Sequence, residues 1–338
     1  MVTVKDIAEK CGVSTATVSK GLNGYGDISE KTAERIRKMA EEMHYTPNVA
    51  ARQLKTNASH TIGVLFEDDT NVGLTHEFFA AILNAAKVQA EKDGYDILFI
   101  SRNIAGRRAS FLEHARYRSC DGVLIANMNY SNEDVRKLIY SEIPTVTIDY
   151  TYNDHSSVLS ANVEGEYELT KYVISRGHRK IAFVHGENTS VTKKRLIGFY
   201  RALTEAGITV PDRYIVESRY HDLESCRTAT QSLLALPDRP TCILYSDDYS
   251  YIGGRGALTE AGLSVPDDIS VVGYDGIEMA KTLYPPLTTF AQGTEAMGKR
   301  AIQKLIEIIE NPKTCRPEEI EIPGRLVPGG TVARIQNG

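Results

Sequence analysis

Short apolar runs that alternate with helical patterns organise most of this chain. Beyond residue 60, segments rich in valine and isoleucine, such as TIGVLF, GVLIAN and IAFVH, are each followed by a stretch with helical spacing of apolar residues. Strands of this kind, separated by amphipathic helices, are typical of parallel sheets covered on both faces. About ten such units occur. Because that is too many for one sheet, we expect two subdomains with a cleft between them.

The first 46 residues follow a different pattern, in which short helices replace the strands. Thr3, Ser14 and Ser29 stand where N-cap residues are expected, and Gly12 separates the first helix from the second. Apolar residues follow each cap at spacings of three and four. They are Ile7, Ala8, Val13, Val18, Leu22, Ala33, Ile36, Ala40 and Met43. The pattern predicts a helix-turn-helix domain, although an ordinary three-helix segment would show the same spacing.

The exposed side of the second predicted helix suits contact with DNA. Thr15, Ala16 and Lys20 fall largely on faces other than that of Val18 and Leu22. Small hydroxyl-bearing residues at a helix N-terminus can approach base edges and phosphates closely, and the amide N–H groups there face the phosphates. Lys20 adds a phosphate or guanine contact.

Residues 47–59 contain a helical pattern, VAARQLK, of barely two turns. A helix this short is marginal in water because nucleation is costly and few hydrogen bonds repay it. We expect it to fold when it packs on a minor groove and on a second copy of itself, with Leu54 as an apolar wedge between base steps. A solvated linker is the alternative in the absence of DNA.

Ordered motifs in this region resemble those of the LacI/GalR (lactose/galactose repressor) family. They read V-x-D-I-A-x-x-x-G-V-S-x-x-T-V-S-x-x-L-N, then I-S-x-x-T, then Y-x-P-N-x-x-A-R-x-L. Phrases such as GHRKIAFVHG and GLSVPDDISVVGYD are also close to family usage, so the resemblance covers nearly the whole chain. It implies a DNA-binding head and a body with the periplasmic-binding-protein fold. The sequence departs from the family pattern at two places. Lys20 stands where many members carry arginine, and Ala161-Asn162 stands where many carry Asp-Asn.

The resemblance also implies roles for individual DNA-binding residues. By this resemblance, the residues that read bases are Thr15, Ala16 and Lys20. Backbone contacts or their supports fall to Ser14, Thr17, Ser19, Asn23 and Tyr45. The hinge helix carries Asn48, Ala51, Leu54 and Lys55, with Leu54 as the intercalating leucine.

Charge divides unevenly along the chain. Residues 1–59 carry nine Lys/Arg and seven Asp/Glu, whereas the rest carries 30 and 37. A weakly basic head on an acidic body is consistent with local contact to DNA. Because one head is not basic enough to bind tightly, we expect a homodimer that places two heads on a pseudo-palindromic operator.

Other sequence features exclude several classes of protein. The five cysteines have no zinc-ligand spacing and fit a reduced, cytoplasmic compartment. No apolar run approaches the length of a membrane span, and no signal-peptide core is present. No catalytic constellation or cofactor motif stands out, so we expect neither an enzyme nor a bound cofactor or metal. The histidines His76, His178 and His185 are isolated, which favours structural roles.

A ligand in this type of fold lies at the carboxyl ends of the strands, inside the cleft. Carboxylates and an arginine with aromatic walls suit a polyhydroxylated ligand. The candidates are Phe78, Phe79, Asp149, Arg195, Tyr220, Asp248 and Asp275. The resemblance supports Asp149, Arg195, Asp248 and Asp275 as effector contacts. Each aspartate has the alternative of a helix cap, and the two phenylalanines have the alternative of core packing.

Together these patterns predict a helical helix-turn-helix head and an α/β body of two subdomains with parallel sheets. We expect the head over 1–46, the hinge over 47–59 and the body over 60–338. The N-subdomain takes about 61–160 and 292–320, and the C-subdomain about 162–290 and 322–338. The expected function is a ligand-responsive transcriptional repressor with a carbohydrate effector. The alternatives are a purine, nucleoside or amino-sugar effector, or a cytosolic solute-binding protein.

Overall fold

A computed structural model describes residues 2–23, 28–45, 58–67 and 73–335. Contacts between Cα atoms divide the chain into two compact units, Met1–Ser59 and His60–Gly338. The expected hinge residues Asn48, Ala51, Leu54 and Lys55 lie outside the described residues.

The N-terminal unit is built from α1 (Val4–Cys11), α2 (Thr15–Asn23) and α3 (Glu30–Glu42). Helix α1 begins at Thr3, whose side chain accepts the Asp6 N–H while the Asp6 carboxylate accepts the Thr3 N–H, a complete capping box. It ends at Gly12, where φ is +63°, a left-handed conformation that glycine adopts without strain. The core contains Ile7, Ala8, Cys11, Val18, Ile36 and Ala40, and each of these except Cys11 is a position that the spacing predicts.

The C-terminal unit alternates strands and helices, as predicted. Up to residue 160 it contains β1 Thr61–Phe66, α4 Glu77–Lys92, β2 Asp96–Phe99, β3 Asn103–Ile104, β4 Arg107–Arg108, α5 Phe111–Tyr117, β5 Gly122–Asn127, α6 Glu133–Ile139, β6 Thr145–Ile148 and β7 Ser156–Ser160. It continues with α7 Asn162–Ser175, β8 Ile181–His185, α8 Ser190–Glu205, β9 Ile215–Glu217, α9 Leu223–Leu234, β10 Cys242–Tyr245, α10 Asp248–Glu260, β11 Ser270–Asp275, α11 Glu278–Thr282, β12 Thr288–Ala291, α12 Thr294–Glu310, β13 Glu319–Ile322 and β14 Arg325–Val327.

The N-subdomain is a parallel sheet with helices on both faces. Its strand order is β13-β7-β6-β5-β1-β2. Helices α4 and α12 cover one face and bury Ile82, Ala86, Met297 and Leu305 among other apolar side chains. Helices α5 and α6 cover the other face, where Phe111 is fully buried.

The C-subdomain repeats this plan. Its strand order is β14-β12-β11-β10-β8-β9, with β14 antiparallel to β12 and the other pairs parallel. Helices α7 and α8 pack on one face around Phe183 and Phe199. Helices α9 and α10 pack on the other around Tyr245 and Leu258. The expected fold class is confirmed.

The described chain passes between the subdomains at three places: between β7 and α7, between β12 and α12, and between β13 and β14. These short crossovers connect two otherwise separate sheets. A rotation about them would open or close the cleft while leaving each sheet intact.

The structure differs from the sequence prediction in one sheet strand. Strand β7 is buried along its whole length and pairs with both β6 and β13, yet its sequence SSVLS was not expected to form a strand. No helix in the described ranges is long and apolar enough to cross a membrane.

Candidate ligand cleft and DNA-binding surface

A cavity of about 660 Å³ lies between the two subdomains. It is enclosed by the residues that follow β5, β6, β8, β11 and β12, the geometry expected for a ligand site in this fold. Its size is within the range of about 300–1,000 Å³ that is usual for small-molecule sites. Six of the expected contact residues line it: Phe78, Phe79, Asp149, Arg195, Tyr220 and Asp275.

Arg195 is held in place by protein groups before any ligand arrives. Its Nε donates to Oδ1 of Asn162 at 2.8 Å, and its Nη1 donates to the carbonyl of Ser246 at 2.5 Å. The guanidinium carbon lies 3.6 Å from the centre of the Tyr274 ring. Its Nη2 is 3.9 Å from Oδ1 of Asp275. This buried fork is therefore preorganised at the wall of the cavity, which suits recognition of vicinal oxygen atoms.

Asp149 and Asp275 bring carboxylates to the same cavity from opposite subdomains. Oδ1 of Asp149 accepts the backbone N–H of Ser160 at 2.7 Å, and Oδ1 of Asp275 accepts Nε2 of Gln292 at 2.6 Å. Burial raises the pKa of both carboxyl groups, and the positive charge of Arg195 opposes that shift. Both residues have a positive φ, +53° and +101°, which aims their side chains differently from those of the preceding strand.

Aromatic rings complete the walls. Phe78 and Phe79 pack edge to face with ring centres 5.0 Å apart, and Tyr130 stacks on Tyr150 at 4.1 Å. The hydroxyl of Tyr220 hydrogen bonds with Oγ1 of Thr192 at 2.9 Å, which fixes its ring. Flat rings beside hydrogen-bonding groups can cover the apolar face of a ring-shaped ligand.

Asp248, the seventh candidate, does not line the cavity. It is the first residue of α10 and is buried, and its Oδ2 accepts the backbone N–H of Ile277 at 2.9 Å. Burial raises the pKa of this carboxyl to about 7. Asp248 thus supports the loop after β11, because the start of α10 turns its side chain into the domain and away from the cleft.

The sequence candidates do not include every polar or aromatic residue of the cavity wall, and three of the others are Gln292, His76 and His221. Gln292 follows β12 at a crossover, and its Oε1 has no hydrogen-bond partner within the described residues. Its position directly after a strand was an available signal. His76 and His221 also line the cavity, and their rings contact each other with centres 3.6 Å apart. The expectation of a purely structural role for His76 overlooked this pairing, because the sequence separates the two histidines widely.

The remaining isolated histidines have the structural contacts expected of them. His178 is buried and its ring nitrogens lie 2.9 Å from Oγ1 of Thr241 and 3.2 Å from the carbonyl of Ala333. Nδ1 of His185 lies 2.7 Å from the carbonyl of Gly186.

In the N-terminal unit, α2 carries most of the residues predicted to contact DNA. Oγ of Ser14 accepts the N–H of Thr17 at 3.1 Å, so the hydroxyl caps the helix and fixes its start. Thr15 and Ala16 are exposed, whereas Val18 is fully buried in the core. Ser19, Lys20 and Tyr45 are half-buried. Asn23 ends the helix.

A helix-turn-helix unit joined to a two-lobed ligand-binding body defines a class of DNA-binding transcriptional regulators. Comparison with known proteins agrees. Residues 3–48 match the model of the bacterial regulatory proteins, lacI family, and residues 170–332 match a periplasmic binding protein-like domain. The chain belongs to the lacI family of regulators.

Its relatives and structural neighbours are similar along nearly their whole length. The HTH-type transcriptional repressor PurR of Vibrio atlanticus is 32% identical over 99% of this chain and 100% of its own. The probable HTH-type transcriptional repressor ExuR of Bacillus subtilis is 36% identical over 95% and 96%. The Lac repressor dimer bound to operator and the anti-inducer ONPF superposes with a TM-score of 0.77 at 26% identity, covering 98% of this chain and 99% of that one.

Proposed function

We propose that this regulator is a repressor that binds its operator as a homodimer and is gated by a small carbohydrate in the cleft. The observation that carries the effector assignment is the convergence of Arg195, Asp149 and Asp275 on one cavity. Charged donors and acceptors can bind pairs of hydroxyl groups, which both donate and accept. The rings of Phe78 and Phe79 would cover the apolar face of the sugar.

Both subdomains contribute residues to the proposed ligand site. Asp149 belongs to the N-subdomain, whereas Arg195 and Asp275 belong to the C-subdomain. A ligand that contacts all three binds the closed cleft better than the open one, so its binding energy favours closure. No reaction step is assigned to these residues, and the proposal is for a binding protein and not an enzyme.

In this proposal, closure of the cleft changes DNA binding through the hinge. A relative movement of the two N-subdomains in a dimer would separate the hinge helices, each of which needs its partner to stay folded. Leu54 would then leave the minor groove, where it acts as a wedge. The coupling is reciprocal, so operator DNA weakens the binding of an inducer by the same factor, and the sign reverses for a co-repressor.

The dimer follows from the charge of the DNA-binding unit. With nine Lys/Arg against seven Asp/Glu in residues 1–59, one unit neutralises few phosphates. Two units on one operator raise the effective concentration of the second and about double the phosphate contacts. Exposed residues Thr15 and Ala16, together with Lys20, would read bases, with Ser14, Thr17, Ser19, Asn23 and Tyr45 at the backbone.

A purine effector is the second candidate. The stacked rings of Tyr130 and Tyr150 and the pair Phe78 and Phe79 offer flat surfaces that suit a nucleobase as well as a sugar. The similar proteins do not decide between the two, since they include PurR repressors as well as a ribose operon repressor from Haemophilus influenzae, which is 34% identical. An amino sugar fits the carboxylates Asp149 and Asp275 and is a further variant of the same assignment.

Thermal-shift measurements on the full-length protein test the effector class. A panel of sugars, uronates, sugar phosphates and nucleobases is screened alone and with operator DNA. A sugar that raises the melting temperature, and does so less in the presence of DNA, supports an inducing carbohydrate. A purine as the single stabilising compound would replace the carbohydrate assignment. Removal of residues 1–59 separates the classes of protein: a regulator loses DNA binding and keeps ligand binding.

A further inference from the structure

The cavity between the subdomains is larger than one sugar ring needs. Its volume is about 660 Å³. A monosaccharide has about a dozen non-hydrogen atoms, and each of them with its hydrogens takes less room than the ~30 Å³ of a water molecule in the liquid. One sugar ring therefore takes less than about 360 Å³, which is little more than half of the cavity. The rest of the volume is available to a second group of the same ligand.

The exposure of the lining residues divides the cavity into an inner and an outer part. Arg195, Asp275 and Gln292 line the inner part, and each is buried, with at most 9% exposure. The outer part is lined by exposed polar residues from both subdomains, namely Asn129, Ser131, Asn188 and Lys193. A ligand that fills the cavity thus meets charged groups inside and amide, hydroxyl and ammonium groups nearer to the solvent.

Two stacked tyrosines, which we call the tyrosine platform, also line the cavity. The rings of Tyr130 and Tyr150 are 4.1 Å apart with an angle of 9° between their planes, and both residues are half-buried. The hydroxyl of Tyr130 donates to the carbonyl of Ile148 at 3.0 Å. The ring of Tyr152 packs against Tyr150 at 4.9 Å, and its hydroxyl donates to the carbonyl of Tyr130. Protein contacts therefore hold the platform in place without a ligand.

The tyrosine platform adjoins the charged anchors of the cavity. Tyr150 directly follows Asp149, whose carboxylate is one of the proposed effector contacts. The carbonyl of Tyr150 accepts a hydrogen bond from Oγ1 of Thr147 at 2.5 Å, which fixes the main chain between the two side chains. The two rings of a disaccharide share one bridging oxygen, so a second ring lies directly beside the first. A sugar ring held at Asp149 would therefore place its neighbour at the platform.

We propose that the effector is a disaccharide, with its inner ring at Arg195, Asp149 and Asp275 and its outer ring on the tyrosine platform. This inference rests on the proposed carbohydrate effector. The C–H face of a pyranose packs on flat aromatic rings, and its hydroxyl groups can hydrogen bond to the amides of Asn129 and Asn188. The second ring binds as a tethered group, so it adds contacts at a smaller loss of freedom than a separate molecule would.

Pairs of related sugars test the proposal on full-length protein without DNA. Isothermal titration compares glucose with cellobiose and maltose, galactose with lactose, xylose with xylobiose, and galacturonate with digalacturonate. The expected result is that one disaccharide binds at least about tenfold more tightly than the monosaccharide it contains. A monosaccharide that binds as tightly as every disaccharide containing it would overturn the proposal.

Substitutions at Tyr150 test where the second ring lies. Tyr150→Ala should reduce the preference for the disaccharide over its monosaccharide by about tenfold, whereas Tyr150→Phe should retain that preference because the flat ring remains. Both changes leave the main-chain hydrogen bond from Thr147 in place. The matched control is Tyr140→Ala. Tyr140 is an exposed tyrosine of the same subdomain that does not line the cavity, so the preference should not change.

The outcomes distinguish this inference from the proposed function. If none of the sugars binds and a nucleobase or nucleoside does, the carbohydrate effector and the disaccharide are both wrong. If monosaccharides bind and no disaccharide binds more tightly, the carbohydrate effector stands and the disaccharide is wrong. A Tyr150→Ala protein with a native circular dichroism spectrum and an unchanged preference for the disaccharide would remove the outer ring from the platform. Equal losses in Tyr140→Ala and Tyr150→Ala would lead to the same conclusion.

Discussion

Nε of Arg195 donates a 2.8 Å hydrogen bond to Oδ1 of Asn162 and so ties the wall of the cleft to the first crossover between the subdomains. Asn162 is the first residue of α7, directly after β7 and Ala161. A ligand that contacts Arg195 is therefore linked through one hydrogen bond to this crossover. Many members of the family that the sequence resembles carry aspartate at the position of Ala161. In this chain Asn162 alone makes the hydrogen bond to Arg195.

Arg195→Lys should weaken effector binding by about tenfold to a hundredfold, which corresponds to the ~1.5–3 kcal/mol typical of hydrogen bonds to charged groups. Lysine keeps the positive charge but cannot reproduce the fork that reaches Asn162, Ser246 and the cavity together. Operator affinity without effector should stay within about twofold, so the variant represses constitutively. Isothermal titration and gel-shift assays measure the two affinities.

The control for this variant is Arg201→Lys. Arg201 lies on the same helix and pairs with Glu164 and Glu205, but it is exposed and outside the cavity. Exposed ion pairs contribute little, so neither affinity should change. Equal losses in the two variants would remove Arg195 from the binding site.

Glu166 makes stability depend on pH. This buried glutamate on α7 has an Oε2 without a hydrogen-bond partner among the described residues. Burial raises its pKa to about 8, against an opposing effect of the Arg195 charge. The folded protein therefore holds a proton that the unfolded chain releases above about pH 4.5. Its contribution to stability is full below that value and is lost as the pH rises to about 8.

Glu166→Gln should raise the free energy of unfolding near pH 8 by about 1–3 kcal/mol, because a neutral amide replaces a carboxyl that ionises at a cost when buried. The gain should disappear near pH 5. Urea denaturation at both pH values provides the measurement, with Glu168→Gln, a neighbour on the same helix, as the control. A constant difference between pH 5 and 8 would show that the proton is not responsible.

Much of the fold and part of the site could be predicted because both depend on local patterns. Strand and helix periods located the α/β units, and strand ends located Asp149 and Asp275. Strand β7 could not be predicted, because SSVLS is buried by the neighbouring strands β6 and β13, and local composition does not encode that pairing. The strand-end rule also selected Asp248, whose side chain turns inward at the start of α10 and accepts the backbone N–H of Ile277. The contact of His76 with His221 exists only through the packing of two subdomains.

Lys20→Ala should weaken operator binding and reduce its dependence on salt. The side chain is half-buried on the outward part of α2, next to the exposed Thr15 and Ala16. A lysine at a phosphate contributes about one released counterion per site, so the slope of log K against log salt should fall by about 2 for a dimer. Fluorescence anisotropy over a salt series measures this slope. If affinity falls while the slope is unchanged, Lys20 contacts a base.

Leu54→Ala tests whether the hinge helix inserts Leu54 between base steps of the operator. An alanine is too short to fill the opened base step, so the kinked operator loses its wedge while phosphate contacts remain. Operator affinity should fall at least tenfold, and the bend seen by gel mobility or FRET between labelled DNA ends should decrease.

Thr56→Ala, two residues further along the same segment, should leave both unchanged. The effector affinity of DNA-free Leu54→Ala protein should equal that of the unaltered chain, because in the absence of operator the hinge helix has no groove to fold against. Unchanged operator affinity and unchanged bending would contradict intercalation and leave the hinge as a tether.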